Sequence, residues 1–382
     1  MKKNKFIFVL GIISVLTLGV FSIVQKQDKH INIKNENTRK EESNNEKLKK
    51  KDIINKYKKH EVEYIINEMN IIIKNQDLEI GQNPNYILLY IDTLKEKEID
   101  DENLMSILKN EEYEDLTKYI VAQDYIAKNI DKKEEIAEFV STIISSENIN
   151  DEIKLLFINS FDLKSEEEIK KEIDQLLKII ENNDEELGFN ALKSLYDLDT
   201  KKAYEIANEI IDDRKNKSKH QISGALKIKS KYISEFDLDN EEEIKEEFIN
   251  LCMNYIDNTI DNKKDADENS IRNSSIYALR DLSDKNAIFK IINSENIEES
   301  EKVYCLKYNF DVIKNVIENN PSKEDIENVL KANELRPFTD YKKGFDKLIE
   351  NETDNEVIKK YQKAIKEINE KGRSGNKKYL ED

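Results

Sequence analysis

Apolar residues recur three and four positions apart in four successive stretches near the middle of the chain, at roughly 165–181, 184–198, 200–213 and 217–235. That spacing places one apolar stripe on each of four α-helices. The same period runs through 52–75, by way of Ile53, Ile54, Tyr57, Val62, Ile65, Ile66, Met69, Ile72 and Ile73. A turn at Gly81–Pro84 follows, and then helices are predicted near 85–96, 101–109 and 112–129.

The pattern also repeats over longer distances. Phe161-Asp162-Leu163-Lys164-Ser165-Glu166-Glu167-Glu168-Ile169-Lys170 returns 75 residues later as Phe236-Asp237-Leu238-Asp239-Asn240-Glu241-Glu242-Glu243-Ile244-Lys245. A fainter copy begins at Phe310-Asp311-Val312 and regains an acidic helix start at Ser322-Lys323-Glu324-Asp325-Ile326. Ile143-Ile144-Ser145-Ser146-Glu147-Asn148-Ile149 matches Ile291-Ile292-Asn293-Ser294-Glu295-Asn296-Ile297 at an offset of 148. Both offsets are near multiples of 37, and four helices in 75 residues make two helical hairpins. Each hairpin buries its apolar faces by stacking on the next, which is the logic of a solenoid. Ser165 and Asn240 stand at N-cap positions with Glu three residues on, and the acidic triplets meet the positive end of the helix dipole.

Ala191-Leu192-Lys193-Ser194-Leu195-Tyr196-Asp197-Leu198 is followed by Ala203, Ile206, Ala207 and Ile210. Tyr277-Ala278-Leu279-Arg280-Asp281-Leu282-Ser283-Asp284 is followed by Ala287, Ile288, Ile291 and Ile292. This resembles HEAT-type repeats: an Ala-Leu first helix, a short turn near an Asp, and a second helix opening on Ala. The resemblance is clearest over 130–300 and implies an all-α, HEAT-like α-solenoid. The helix-opening Pro and the regular Asp/Arg ladder of that family are mostly missing, and a tetratricopeptide array is the rival subtype. The Ala191 and Ala278 copies lie 87 residues apart, and the polar stretch 261–270 is read as an inserted loop that absorbs the difference.

The N-terminus is built differently. Lys2, Lys3 and Lys5 precede an uncharged apolar run, Phe6 to Val24, long enough to cross a bilayer as a helix. The leading lysines would hold the N-terminus in the cytoplasm and send the body outward. Val20-Phe21-Ser22 is a passable cleavage site, so the run reads as a signal peptide or an anchor, and its length favours the anchor. No Cys follows the run, which excludes a bacterial lipoprotein. The expected organisation is a membrane segment over 1–24, a disordered basic tether over 25–51, a helical cap region over 52–129, HEAT-like repeats over 130–371 and a frayed tail over 372–382.

Charge sharpens this division. The chain has 62 Lys/Arg and 80 Asp/Glu; the first 60 residues hold 15 and 6 of these, which leaves 47 and 74 for the rest. So acidic a body repels phosphate backbones and argues against nucleic acid as a partner. Only eight Gly and three Pro interrupt the chain, in keeping with helix throughout.

The search for chemistry yields no site. His30, His60 and His220 lie in unrelated segments, with no paired ligand spacing for zinc. Asp237, Asp239 and Glu241 alternate, and Asp261, Asp265 and Asp267 cluster, yet neither set has the central Gly and distal Glu of a calcium loop. Cys252 and Cys305, the only cysteines, fall in apolar helical stretches as buried thiols or as a disulfide pair. No catalytic, cofactor-binding or metal-ligating residue is therefore nominated, and no cofactor is expected. Tyr86, Tyr90, Tyr113, Tyr119, Tyr125, Tyr277, Tyr304 and Tyr308 are read as packing residues, or as binding anchors where they stay exposed. The function expected is a non-catalytic, membrane-tethered scaffold outside the cytoplasm that binds a protein or peptide through an acidic surface. The alternative is an envelope-acting hydrolase on a helical toroid. The sequence specifies neither partner identity nor oligomeric state.

Overall fold

The computed structural model describes residues 57, 59–82, 84–132, 134–161, 165–183, 185–258 and 266–375. The apolar run Phe6–Val24 and the segment 25–51 lie outside these residues. No helix among the described residues is long and apolar enough to cross a membrane.

The described chain is all-α. Its helices in order are α1 (Val62–Gln76), α2 (Asn85–Leu94), α3 (Asp101–Lys109), α4 (Asp115–Asn129), α5 (Ala137–Ser145), α6 (Asp151–Ser160), α7 (Glu166–Asn182), α8 (Glu186–Leu198) and α9 (Thr200–Asp212). They continue as α10 (Lys219–Glu235), α11 (Glu241–Asn258), α12 (Ala266–Asp281), α13 (Lys285–Asn293), α14 (Glu299–Tyr308), α15 (Phe310–Glu318), α16 (Lys323–Leu335), α17 (Lys342–Asn351) and α18 (Asn355–Lys371). Among the described residues the only strand-like pairing is one isolated parallel bridge, Phe338 with Arg373. The chain divides into two compact units at Gln175 and Leu176, within α7.

Each unit is built by neighbour-on-neighbour packing. In the first, α2 packs on α4 and α4 on α6, while α1, α3 and α5 lean against them. In the second, the even-numbered helices from α8 to α18 form one continuous row, and α13, α15 and α17 form part of a second. This is the solenoid-like stack that the periodicity implies. The hairpin α5–α6 recurs as α13–α14 with the same helix lengths, each helix displaced by 148 residues (137 to 285 and 151 to 299).

Local chemistry sets the helix ends. Asp199 caps α9 by accepting from Lys202 N at 2.9 Å, and Asp284 caps α13 by accepting from Asn286 N and Ala287 N at 2.8 and 3.2 Å. These are the aspartates that the repeat pattern places at the turn inside each hairpin. Behind them Ala191, Ala203, Ala207 and Ala287 are wholly inaccessible, as are Leu195 and Leu279. The small side chains let paired helices approach, and each buried Leu or Ile contributes about 1.5–3 kcal/mol. In the first unit the buried Asn70 of α1 holds the turn before α4. Its amide donates to Glu112 O at 3.1 Å and accepts from Glu114 N and Thr117 Oγ1, both at 2.8 Å.

Four expectations need correction. The helix predicted over 52–75 is broken within the described residues: Lys59 and His60 form a turn and bend, Glu61 is extended, and α1 starts at Val62. Asn240 takes φ +61°, outside the extended geometry of an N-cap, so the reciprocal box that Ser165 makes with Glu168 is not copied there. The polar stretch 261–270 is not wholly a loop, because α12 already begins at Ala266. The tail is not frayed from 372: Thr339 N donates to Arg373 O at 3.0 Å, Arg373 N to Pro337 O at 3.2 Å, and Gly375 N to Asp340 Oδ2 at 2.9 Å. Gly375 sits so close to Phe310 that an added Cβ would lie 2.1 Å from the ring. A residue with no side chain is what lets the chain fold back there. Residues 376–382 lie outside the described residues.

Candidate interaction surface

In the second unit α11, α13 and α16 enclose an open groove of about 560 Å³. Glu242, Glu243 and Glu246 come from the first turns of α11, and Glu324 from the start of α16. Ile249 and Phe289 supply apolar floor, while Lys290, Asn293 and Asn328 lie along the wall. The carboxylates are where they are because these helices open on acidic residues, which the positive helix end favours. The same sequence feature that starts the helix therefore also charges the groove.

Amides and lysines tie the groove together. Lys290 Nζ donates to Asn250 Oδ1 at 2.6 Å, Asn293 Nδ2 to Asn328 Oδ1 at 2.6 Å, and Lys331 Nζ to Asn293 Oδ1 at 2.8 Å. Lys285 pairs with Asp325 at 3.4 Å. Burial opposes the charge on Lys245, but Glu241, Asp284 and Glu242 together outweigh it and hold the ammonium above its ordinary range. A second hollow of about 410 Å³ shares Lys290 and Asn293 and adds Asp257, Glu295 and Asn296.

A different kind of surface lies on α12 and α14. Tyr277, Tyr304 and Tyr308 are 49%, 36% and 44% exposed, half of the six large apolar or aromatic side chains left open among the described residues. Arg280 stands over all three rings, at 5.0, 5.3 and 4.7 Å from their centroids. Its Nε donates to Asp281 Oδ1 at 2.6 Å and its Nη1 to Tyr304 OH at 2.8 Å. Exposed tyrosines grouped around an arginine have the composition of binding hot spots.

The other tyrosines are largely packing residues. Tyr125 is buried with its hydroxyl donating to Asp101 at 2.5 Å, and burial together with that carboxylate pushes its ionisation well up. Tyr90 is buried against Tyr57, with ring centroids 5.2 Å apart. The side chain of Tyr86 lies outside the described residues. Tyr113 donates to Asn67 Oδ1 at 2.7 Å, and Tyr119 is raised by burial and by Glu152.

Cys252 and Cys305 are both buried and free, not joined in a disulfide. Burial pushes the Cys252 thiol up, with Lys229 opposing it weakly, and lifts Cys305 to about 12 against the pull of Arg280. Neither is a thiolate at neutral pH, so neither has the activation a nucleophile needs. His60 stacks on Tyr64 at 4.4 Å, and His220 opens α10. Among the described residues no three His, Cys, Asp or Glu side chains gather where they could hold a metal ion. Asp237, Asp239 and Glu241 are among the described residues and form no such group; Asp261 and Asp265 lie outside the described residues, as does the side chain of Asp267. No protein-family model matches the sequence, and no curated protein matches it.

Proposed function

We propose that this protein is a non-catalytic scaffold whose HEAT-like stack is tethered to a membrane by Phe6–Val24 and faces the outside of the cytoplasm. In this reading the groove on α11, α13 and α16 takes an extended basic segment of a protein partner. The observation that carries it is four glutamates against two lysines, Lys245 and Lys290, lining one open groove in which Asn293 and Asn328 are hydrogen-bonded to each other along the wall. Fixed walls lower the ordering cost of binding, and the carboxylates speed and select the encounter with a cationic chain. The acidic body adds long-range attraction of the same sign.

The test combines capture with charge reversal. Full-length protein is crosslinked in its own cells, the captured partner is identified, and its binding is compared with that of Glu242→Lys/Glu243→Lys/Glu246→Lys. The triple variant is expected to weaken binding by about tenfold or more at low salt, with the gap closing as salt screens the groove. Equal affinity for both proteins at low salt would sink the groove reading. Recovery of the body in the aqueous fraction of disrupted cells after alkaline extraction would sink the tether.

A further inference from the structure

The tyrosine–arginine surface on α12 and α14 has a ligand chemistry of its own, separate from the acidic groove. Tyr277 and Tyr304 meet edge to face, 6.1 Å apart with planes at 67°; Tyr304 and Tyr308 are 4.8 Å apart at 57°. The three rings therefore form one contiguous aromatic surface with Tyr304 at its centre. Arg280 leans on all three rings, so the aromatic surface is set before any ligand arrives.

Counting protons shows what such a ligand must offer. An arginine carries five N–H donors. Those of Arg280 that are engaged point at Asp281 and Tyr304, which leaves further N–H to give. The Tyr304 oxygen accepts from Arg280. With its oxygen accepting from a guanidinium, the Tyr304 hydroxyl keeps its own proton to donate. Asp281 Oδ1 is already occupied by Arg280. The surface thus presents apolar ring faces and surplus donors. Its complement has apolar rings, unpaired carbonyl acceptors and few donors.

The geometry points to a proline-rich segment in the polyproline II conformation as the occupant of this surface. Proline combines an apolar ring and a carbonyl with the absence of an N–H, and in this helix the carbonyls have no internal partner. The conformation is already formed in the free peptide, so little entropy is lost on docking to an aromatic-lined surface. The Arg280–Asp281 pair leaves the patch itself without net charge. The acidic body around it repels an acidic peptide and favours prolines flanked by Lys or Arg.

The test titrates full-length protein into fluorescein-labelled decaproline flanked by two lysines, followed by anisotropy, with deca-glutamate and a Gly-Ser decapeptide as controls. Saturable binding of the proline peptide alone is expected. Tyr304→Ala and Tyr308→Ala should each weaken it by roughly tenfold. Tyr304→Phe, which keeps the ring and loses the hydroxyl, should cost less than Tyr304→Ala but more than nothing. The groove variant Glu242→Lys/Glu243→Lys/Glu246→Lys should retain proline-peptide binding at high salt, so the two surfaces fail or succeed separately. Absence of decaproline binding, an affinity unmoved by Tyr304→Ala and Tyr308→Ala, or equal binding of the control peptides would overturn the assignment. Thermal unfolding of each variant checks that its fold is intact; since the rings are exposed, their midpoints should match the parent.

Discussion

Glu301 does two jobs at once. It accepts both Nη groups of Arg272 at 2.8 Å, and its Oε2 also receives the Glu298 N–H at 2.9 Å, closing a capping box at the start of α14. The Arg272 bond holds its carboxyl below the usual glutamate range, against burial and with help from the Glu298 N–H. A carboxyl whose folded value is depressed stabilises the fold fully above its unfolded value. That contribution disappears as pH falls through the folded value. Glu301→Gln should therefore cost about 1–3 kcal/mol at neutral pH, since Arg272 keeps only a neutral partner. In urea titrations across pH, the gap between parent and variant should shrink below about pH 4.5 and vanish in stronger acid. A gap that stays constant down to pH 2 would show that packing, not charge, holds α12 to α14.

Helix ends are the next scale up. Ser322 accepts from Asp325 N at 3.1 Å while the Asp325 carboxylate receives Ser322 N–H at 3.1 Å, so α16 opens on a closed box. Ser322→Ala should lower stability by about 0.5–2 kcal/mol, measured by denaturant midpoint, whereas the same change at exposed Ser234 should fall within about 0.5 kcal/mol. Elements of this kind were legible in the sequence. The four stretches at 165–181, 184–198, 200–213 and 217–235 correspond to α7 to α10 within two residues at every boundary. Apolar period and capping residues are local, and local signals carry boundaries well. What was not legible depends on distant partners. The fold-back of Gly375 requires Phe310 and Asp340, which lie far upstream. Asn240 looked like a second Ser165, but its backbone turns left-handed where the first copy forms a box. The tyrosine–arginine surface was half legible: Tyr277, Tyr304 and Tyr308 stood out as aromatics at helical spacing, but only the stacking of α12 beside α14 gathers them around Arg280.

Across the molecule, the proposed function rests on surfaces rather than on a reactive centre. The groove glutamates were visible only as the acidic openings of helices, a role that fully explains them in sequence. Their proposed second role arises because α11 and α16 open onto the same hollow. Charge works at this scale too: the excess of acids in the sequence would bias both proposed surfaces toward cationic or cation-flanked chains.

The even row, in which each helix rests on the one two places before it, has a mechanical meaning. Load applied to such an array is carried by one contact at a time, as in a zipper rather than a rivet. Pulled from its ends, the second unit should yield in steps instead of one rupture, each step freeing a hairpin of about 37 residues and thus roughly 120–130 Å of slack. Single-molecule force traces would show a sawtooth of small, similar increments, and one large increment would contradict it. A protein of this build held at one end would act as a shock absorber, letting out length under strain while its remaining hairpins keep their grip.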